Sequence, residues 1–307
     1  MNSIKSVFTI GDLESLTGIS AHTIRVWEKR YNLLSPIRTD TNLRRYTNDD
    51  LRKLLNIAAL QKHGEKIARL SRMSDDELKQ RVEELYEPDD EILPSLNAFK
   101  LAMVEFDREI FNQAYSRLET HLSFLDIFRK FLVPLLREMG KLWQAGHICP
   151  AHEHFISNLI RQKIYYQMEL LSSAKSDNDD QQVYVLFLPS NEMHELGILF
   201  FQYLLLSKGK NTIYLGQSVE LADLYTMRNA LDSRILYISW WTVKPDKAEI
   251  EDYATEFSQK ILKPGDQLWL TGNHPSIALI DKQFQGISAF THPADMVKVL
   301  FDQICPA

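Results

Sequence analysis

The sequence has few cysteines and no long apolar run. Its two cysteines, Cys149 and Cys305, cannot form a disulfide framework, which excludes a small disulfide-stapled scaffold. The most apolar run, 196–206, is interrupted by Gln202 and Tyr203. A membrane span requires about 18 consecutive apolar residues. The amino terminus lacks an uninterrupted apolar stretch followed by a small-residue cleavage site. We therefore expect a reduced, cytoplasmic protein without membrane contact.

Common catalytic motifs are also missing. The sequence contains no GxSxG, Walker A, HExxH or GxGxxG motif. With 307 residues, of which 45% are hydrophobic and 25% charged, it has the composition of a globular protein. A chain of this length can form two or three cores.

The charge is divided unevenly along the chain. Residues 1–72 hold 13 Lys and Arg against 7 Asp and Glu, a net charge of +6. The other 235 residues hold 22 basic and 34 acidic side chains, a net charge of −12. This division indicates that only the amino-terminal part contacts a polyanion.

The amino-terminal part has the pattern of a helix-turn-helix. Apolar residues at helical spacing end at Thr17-Gly18, and Ser20 can cap a second helix, which Pro36 ends. A basic extended stretch, 42–46, precedes two further helices, near 47–62 and 74–85. We assign residues 1–87 to a winged helix-turn-helix DNA-binding domain.

The remaining chain predicts two more domains, so the expected fold class is multidomain α and α/β. Helices are predicted near 96–106, 107–119, 121–143 and 151–172, which form a helical bundle over 95–174. After a polar linker, short apolar runs at 183–189, 211–216, 234–240, 267–272 and 286–290 alternate with helical stretches. This alternation predicts a Rossmann-like, doubly wound, parallel five-stranded sheet over 182–307.

Basic and polar side chains of the head are the candidate DNA contacts. In a helix-turn-helix the second helix lies in the major groove with its first residues on base edges. The candidate base contacts are His22, Thr23 and Arg25. The candidate phosphate contacts are Arg30, Arg38, Arg44, Arg45 and Tyr46. A helical protein-binding module with a solvated basic face is the alternative.

The segment 9–51 resembles the winged helix-turn-helix of the MerR family over about 45 contiguous residues. It departs at the wing, where Asn42-Leu43 replace a turn that commonly contains glycine. The resemblance implies binding to double-stranded promoter DNA.

The motif Glu192-Met-His194-Glu-Leu-Gly197 follows the first predicted strand. An imidazole there could bind the axial position of a metal macrocycle while Glu192 holds its other nitrogen. Gly197 would let the helix approach closely. A solvated loop histidine is the alternative. In this position the motif looks like the lower-ligand motif of the cobalamin-binding domain, which implies that His194 binds cobalt.

The same resemblance extends to the third and fourth strands. The cobalamin-binding domain has a serine after its third strand and a glycine pair after its fourth. Ser239 and Gly272 stand at these positions. Two tryptophans, Trp240 and Trp241, follow the serine, and Asn273 replaces the second glycine, where it would crowd the nucleotide tail of a corrinoid.

A third motif, Trp143 followed after nine residues by Glu153-His154, crosses a predicted helix break. Read alone, Trp143 could be a core residue. A zinc site is disfavoured because a second thiolate is absent and His152 and His154 lie on different helix faces. Its ligands would be His147, Cys149, His152 and His154. The motif looks like the upper-face motif of photoreceptor regulators that bind adenosylcobalamin, which implies that Trp143 and Glu153 contact the adenosyl group. Gln144 stands where some members carry histidine.

The order of these parts resembles the MerR-type, cobalamin-dependent photoreceptor regulators across nearly the whole chain. This implies a regulator, expected to repress, whose assembly into a dimer or tetramer and whose operator binding are controlled by adenosylcobalamin and light. One alternative is a regulator whose α/β domain has lost cobalamin and serves as an oligomerisation or protein-interaction platform. The other is a corrinoid methyl-transfer module, against which the DNA-binding head argues, so we expect no enzyme activity.

Overall fold

The computed structural model describes residues 7–84, 92–172, 182–242, 247–272, 277, 280 and 283–304. The chain forms two compact units, Met1–Ile160 and Arg161–Ala307. The predicted head and most of the predicted bundle therefore share the first unit. The boundary between the units falls inside one helix, and the predicted domain limits stay predictions.

The head begins with the predicted helix pair. Thr9 and Asp12 form a capping box at the start of the first helix, and Gly18, with φ of 75°, ends it. A two-stranded antiparallel wing follows, then three helices. The elements are α1 (Ile10–Thr17), α2 (Ala21–Tyr31), β1 (Ile37–Arg38), β2 (Arg44–Arg45), α3 (Asn48–Lys62), α4 (Ile67–Leu70) and α5 (Asp75–Glu83).

The bundle contains the four predicted helical segments, one of them with a local irregularity. Its elements are α6 (Ile92–Glu105), α7 (Arg108–Glu119), α8 (Phe124–Ile127), a π-helical segment (Phe128–Leu132), α9 (Val133–Gln144) and α10 (Pro150–Ser172). The predicted helix 121–143 therefore contains a π turn. This turn lies just before Pro134, which has no N–H to donate to the preceding turn.

The second unit is built on a five-stranded parallel sheet with strand order β4-β3-β5-β6-β7. The strands are β3 (Gln182–Pro189), β4 (Thr212–Val219), β5 (Arg234–Trp241), β6 (Gln267–Gly272) and β7 (Ile287–Phe290). The helices are α11 (Leu196–Ser207), α12 (Leu221–Asn229), α13 (Lys247–Lys260) and α14 (Pro293–Ile304). All five predicted strands are present.

Alternate residues of the strands enter two cores. Leu186 and Ile238 pack with Phe201 of α11 and with α14 on one face. Phe187 and Tyr237 pack with α12 and α13 on the other. Helices thus cover both faces, as the continuous apolar strands require. This architecture confirms the predicted α and α/β fold class.

No helix in the described part of the chain is both long and apolar enough to span a membrane.

Candidate functional site

Helix α2 presents most of the predicted base-contacting residues to solvent. Ser20 begins the helix by accepting the backbone N–H of Thr23 at 3.1 Å. Ile24 and Trp27 are buried in the head and fix which face of the helix points outward. The exposed candidates are His22, Arg25 and Arg30. Thr23 is half-buried, and its hydroxyl lies 2.8 Å from Ser20 Oγ, so this side chain already has a local partner.

The wing forms without a glycine in its turn. Thr39 N–H donates to Leu43 O at 3.0 Å, and Asn42 adopts φ of 61°, in the left-handed region that asparagine tolerates better than most residues. Arg38 is exposed and donates to Asn42 Oδ1 at 2.6 Å. Arg45, half-buried, lies opposite Ile37 in the ribbon. Asn42 therefore replaces the glycine that the resemblance led us to expect.

Tyr46 does not reach the surface, which makes its predicted phosphate contact wrong. Its side chain is 0% exposed, and its hydroxyl donates to Glu28 Oε1 at 2.5 Å. Burial and the neighbouring Glu28 carboxylate raise the pKa of Tyr46, so the phenol stays protonated. Arg44 Nε donates to Glu28 Oε2 at 3.1 Å. Glu28 thus ties α2 to the wing through Arg44, and to the residue that follows the wing through Tyr46.

The loop after β3 is organised by the carboxylate of Glu192, which is 3% exposed. Its Oε1 accepts the backbone N–H groups of Met193 and His194, at 2.8 and 2.9 Å. Its Oε2 accepts the N–H of Thr242, directly after β5, at 2.6 Å. From β3 the chain passes to β4 on one side of the sheet and then to β5 on the other side, so the direction of the connections reverses between β3 and β5. Open α/β sheets bind ligands at such a switch point, outside the carboxyl ends of the strands.

His194 is held by the same carboxylate. Its Nδ1 lies 2.7 Å from Glu192 Oε1, and its side chain is 60% exposed. A carboxylate on one ring nitrogen fixes the tautomer and makes the other a more basic metal ligand. A metal ion would therefore take Nε2. Gln217 donates to Met193 O at 3.0 Å and braces the loop from β4.

Gly197 and Gly272 make room for atoms of this chain. A Cβ on Gly197 would lie 2.8 Å from the indole of Trp240. A Cβ on Gly272 would lie 1.9 Å from the carbonyl oxygen of Trp241, its partner across β5 and β6. Both glycines are thus required for packing within the α/β unit, and Trp240 fills the space beside α11.

Polar groups are buried at the end of β5. Ser239 is fully buried beside Tyr253; burial raises the pKa of this tyrosine, and the Ser239 hydroxyl acts in the opposite direction. Trp241 Nε1 is buried and has no hydrogen-bond partner among the described residues. Buried N–H donors nearly always have a hydrogen-bond acceptor. The Trp241 N–H therefore requires an acceptor that the described residues do not supply. Together with the Glu192–His194 pair, these groups fit a corrinoid, whose amide side chains offer such acceptors.

The third motif, in the first unit, flanks the turn between α9 and α10, with Trp143 near the end of α9 and Glu153-His154 near the start of α10. Trp143 is 55% exposed and is therefore not a core residue. Helix α9 ends where Gly146 adopts φ of 74° and donates to Trp143 O at 2.9 Å. Glu153 is half-buried, with Oε1 accepting from Ser157 Oγ at 2.7 Å and Oε2 lying 2.8 Å from Nδ1 of the exposed His154.

The histidines around this turn have partners other than a metal. The His152 ring stacks on Phe106, with centroids 4.7 Å apart, and its Nδ1 accepts the N–H of Cys149 at 3.2 Å. Burial lowers the pKa of His152, which favours the neutral ring. Within the described residues, no three His, Cys, Asp or Glu side chains form a group that could hold a metal ion. The disfavoured zinc alternative has no support.

The sequence analysis missed two site residues, Glu28 and Thr242. Glu28 acts through partners 16 and 18 residues away, and Thr242 through a backbone N–H that is 50 residues from Glu192. No local pattern marks such partners. His147 was considered only as a zinc ligand.

Two family models match the chain. The model described as MerR HTH family regulatory protein matches residues 8–77, and the one described as B12 binding domain matches residues 95–166. The first covers α1 to the start of α5, and the second covers the bundle.

Two named proteins and one solved structure are similar to this chain. The chain is 27% identical to the HTH-type transcriptional repressor CarH of Myxococcus xanthus, over 86% of this chain and 88% of that protein. It is 28% identical to the HTH-type transcriptional repressor CarA of Myxococcus xanthus, over 70% of each. The monomethylamine corrinoid protein of Methanosarcina barkeri is 15% identical, with a TM-score of 0.54, over 66% of this chain and 94% of that one, and shows a shared fold alone. The chain therefore carries a MerR-type helix-turn-helix domain and a B12-binding domain, and it is similar to two transcriptional repressors over most of its length.

Proposed function

We propose that this protein is a DNA-binding transcriptional regulator whose operator binding is controlled by cobalamin. The observation that carries the proposal is the Glu192–His194 pair at the switch point of the sheet, in a chain whose head exposes a basic recognition helix. The two named relatives are transcriptional repressors, so we propose repression as the mode of action. The setting of such a regulator is the cytoplasm.

In the head, Arg25 is the side chain proposed to read base edges. It is exposed near the start of α2, where recognition helices contact bases. His22 lies beside it, while Arg30, Arg38 and Arg45 are proposed to contact phosphates. Each head would bind one half-site, so we propose that the protein acts as a homodimer or higher oligomer.

In the α/β unit, His194 is proposed to hold the cobalt of cobalamin through Nε2. Glu192 keeps the ring oriented and fixes Nδ1 as the nitrogen that faces the carboxylate. Ser239 and Trp241 supply a buried hydroxyl and a buried N–H at the neighbouring strand end. Gly197 and Gly272 shape the same region through the two tryptophans.

We also propose that the cofactor is adenosylcobalamin and that light is the signal. When bound, this cofactor supplies a cobalt–carbon bond that light breaks. In the bundle, the exposed Trp143 indole offers a flat surface for the adenine, and Glu153, with His154 beside it, offers a carboxylate for the ribose hydroxyls.

The test is reconstitution with adenosylcobalamin, followed by desalting and absorption spectra before and after green light. Wild type should stay red and change its spectrum on illumination. His194→Ala should lower cobalamin retention by about 10-fold or more and shift the bound spectrum to the base-off form. His292→Ala, which changes an exposed histidine at the start of α14, is the matched control. Equal retention and spectra in His194→Ala and wild type would remove His194 as the cobalt ligand.

A second candidate is a MerR-type regulator without cobalamin, whose α/β unit serves as an oligomerisation platform. The packing of Trp240 against Gly197 favours it, because the indole occupies space beside the switch point. Wild type that loses its colour on desalting would select this candidate. Turnover of a methyl donor would instead select a corrinoid methyl-transfer module.

A further inference from the structure

The turn between α9 and α10 contacts the head directly. The His147 ring forms hydrogen bonds with α1 through both nitrogens. Its Nδ1 lies 2.7 Å from Asp12 Oδ1, and its Nε2 lies 2.8 Å from Ser15 Oγ. The side chains of His147 and Asp12 are both largely buried. All three residues, which we call the α1 clamp, belong to the first compact unit. The clamp therefore joins the DNA-binding head to the bundle.

The clamp uses Asp12, which also belongs to the capping box at the start of α1. Asp12 Oδ2 accepts the backbone N–H of Thr9 at 2.6 Å and its hydroxyl at 2.7 Å, while Oδ1 faces His147. One carboxylate thus caps the helix and holds the bundle. A displacement of His147 would act on the hydrogen bonds that define the first turn of α1.

The opposite end of α1 is also held by the bundle. Lys100 of α6, 7% exposed, donates to Leu16 O at 3.2 Å and pairs with Glu138 of α9 at 2.7 Å. A cation at a helix carboxyl terminus is favoured by the helix dipole. Both ends of α1 are therefore fixed by bundle residues, and α1 itself packs on α2.

The α1 clamp differs from the other head contacts because it starts from the turn between Trp143 and Glu153. His147 lies four residues after Trp143 and six before Glu153. The turn is short, Gly146 has φ of 74°, and Ile148 is buried. The His147 ring therefore has little freedom to move independently of the end of α9. By contrast, Arg52 of α3 pairs with Glu105 at the end of α6, outside this turn.

We propose that His147 is a positioning residue that couples the turn at Trp143 and Glu153 to the orientation of the DNA-binding helix pair. The proposal rests on the DNA-binding function proposed above. A change in the turn moves the His147 ring, and the ring displaces α1. Because α1 packs on α2, α2 moves with it. His147 itself contacts neither DNA nor cofactor in this scheme.

A double-mutant cycle on the apo protein tests the coupling without DNA or cofactor. Gly146→Val strains the turn, because valine disfavours positive φ. We expect it to increase the rate of amide hydrogen exchange at residues 10–17 by about 5-fold or more, which is the lower end of typical allosteric coupling. In the His147→Ala background, the same change should have no further effect. Glu105→Gln is the control background, where the Gly146→Val effect should persist.

Operator affinity provides the second readout. The ratio of Kd values without and with adenosylcobalamin should differ from 1 in wild type and in Glu105→Gln, and should fall toward 1 in His147→Ala. His147→Ala should bind adenosylcobalamin as wild type does. If Gly146→Val acts equally with and without His147, or if a wild-type Kd ratio that differs from 1 is unchanged in His147→Ala, the coupling proposal is overturned. A wild type that binds no operator would refute the proposed function instead, and the exchange experiment would still decide the coupling.

Discussion

In the described part of the chain, two carboxylate–imidazole pairs have the same distance of 2.7 Å between Nδ1 and a carboxylate oxygen. One is Glu192–His194 in the α/β unit, and the other is Asp12–His147 in the first unit. The His194 side chain is mostly exposed, whereas the His147 side chain is largely buried and its Nε2 lies on Ser15. The two pairs have the same chemistry. The surroundings of Nε2 decide whether the histidine is suited to binding a ligand or joins two structural elements.

The two carboxylates also differ in what they hold. Glu192 accepts three backbone N–H groups and ties the end of β3 to the end of β5. Asp12 accepts one backbone N–H and one hydroxyl within its own helix start. We therefore expect substitutions of Glu192 to have the larger effect on stability.

The largest effect is expected for Glu192→Ala. It leaves three backbone donors without their acceptor in a loop where the carboxylate is buried, so the free energy of unfolding should fall by about 3 kcal/mol. Urea unfolding of the full chain followed by circular dichroism measures this. Glu220→Ala, at an exposed position before α12, is the control and should change stability by less than about 0.5 kcal/mol. Equal values for the two variants would contradict the role given to Glu192.

A smaller effect is expected for Asp12→Ala in the α1 clamp. It removes a capping-box carboxylate and the partner of His147, which together should lower the free energy of unfolding by about 1–2 kcal/mol. The same urea experiment applies. Glu14→Ala, at an exposed position of α1, is the control. An Asp12→Ala protein as stable as the Glu14→Ala protein would show that the clamp contributes nothing to the fold.

The smallest effect concerns pH. Burial raises the pKa of Asp12, but hydrogen bonds from Thr9 and His147 outweigh it and hold this pKa below its usual value. Because the folded-state pKa is lowered, the stabilisation is present above the unfolded-state pKa, about 4, and is lost as pH falls through the folded-state value. The stability difference between wild type and Asp12→Asn should therefore shrink as the pH falls below about 4. A difference that grows below about pH 4 would contradict the sign of this linkage.

Elements with a strong local pattern were predictable. The five strands are short apolar runs, and each was found within a few residues of its predicted position. The helix pair of the head followed from Gly18 and Ser20, which end one helix and begin the next. The π turn in the bundle was not predicted, because the apolar periodicity of a long helix changes little when one turn contains an extra residue.

The candidate sites were predictable only in part. The Glu192–His194 pair is local, since the two residues are separated by one position, and its geometry agrees with the sequence interpretation. Tyr46 was misjudged, because a tyrosine next to two arginines looks like a phosphate contact until its buried partner Glu28 is known. The exposure of Trp143 also needed the structure, since helical spacing favours a core residue equally well.

The sequence by itself determined the order of the elements and the identity of the motifs, because caps, turns and apolar periodicity act over a few residues. Only the tertiary structure decided which carboxylate each histidine and tyrosine meets. Asp12 and His147 are 135 positions apart, and Glu28 and Tyr46 are 18 apart. Such pairs form when packing of whole helices brings them together and excludes water from them, and that outcome depends on the complete core and on no local pattern.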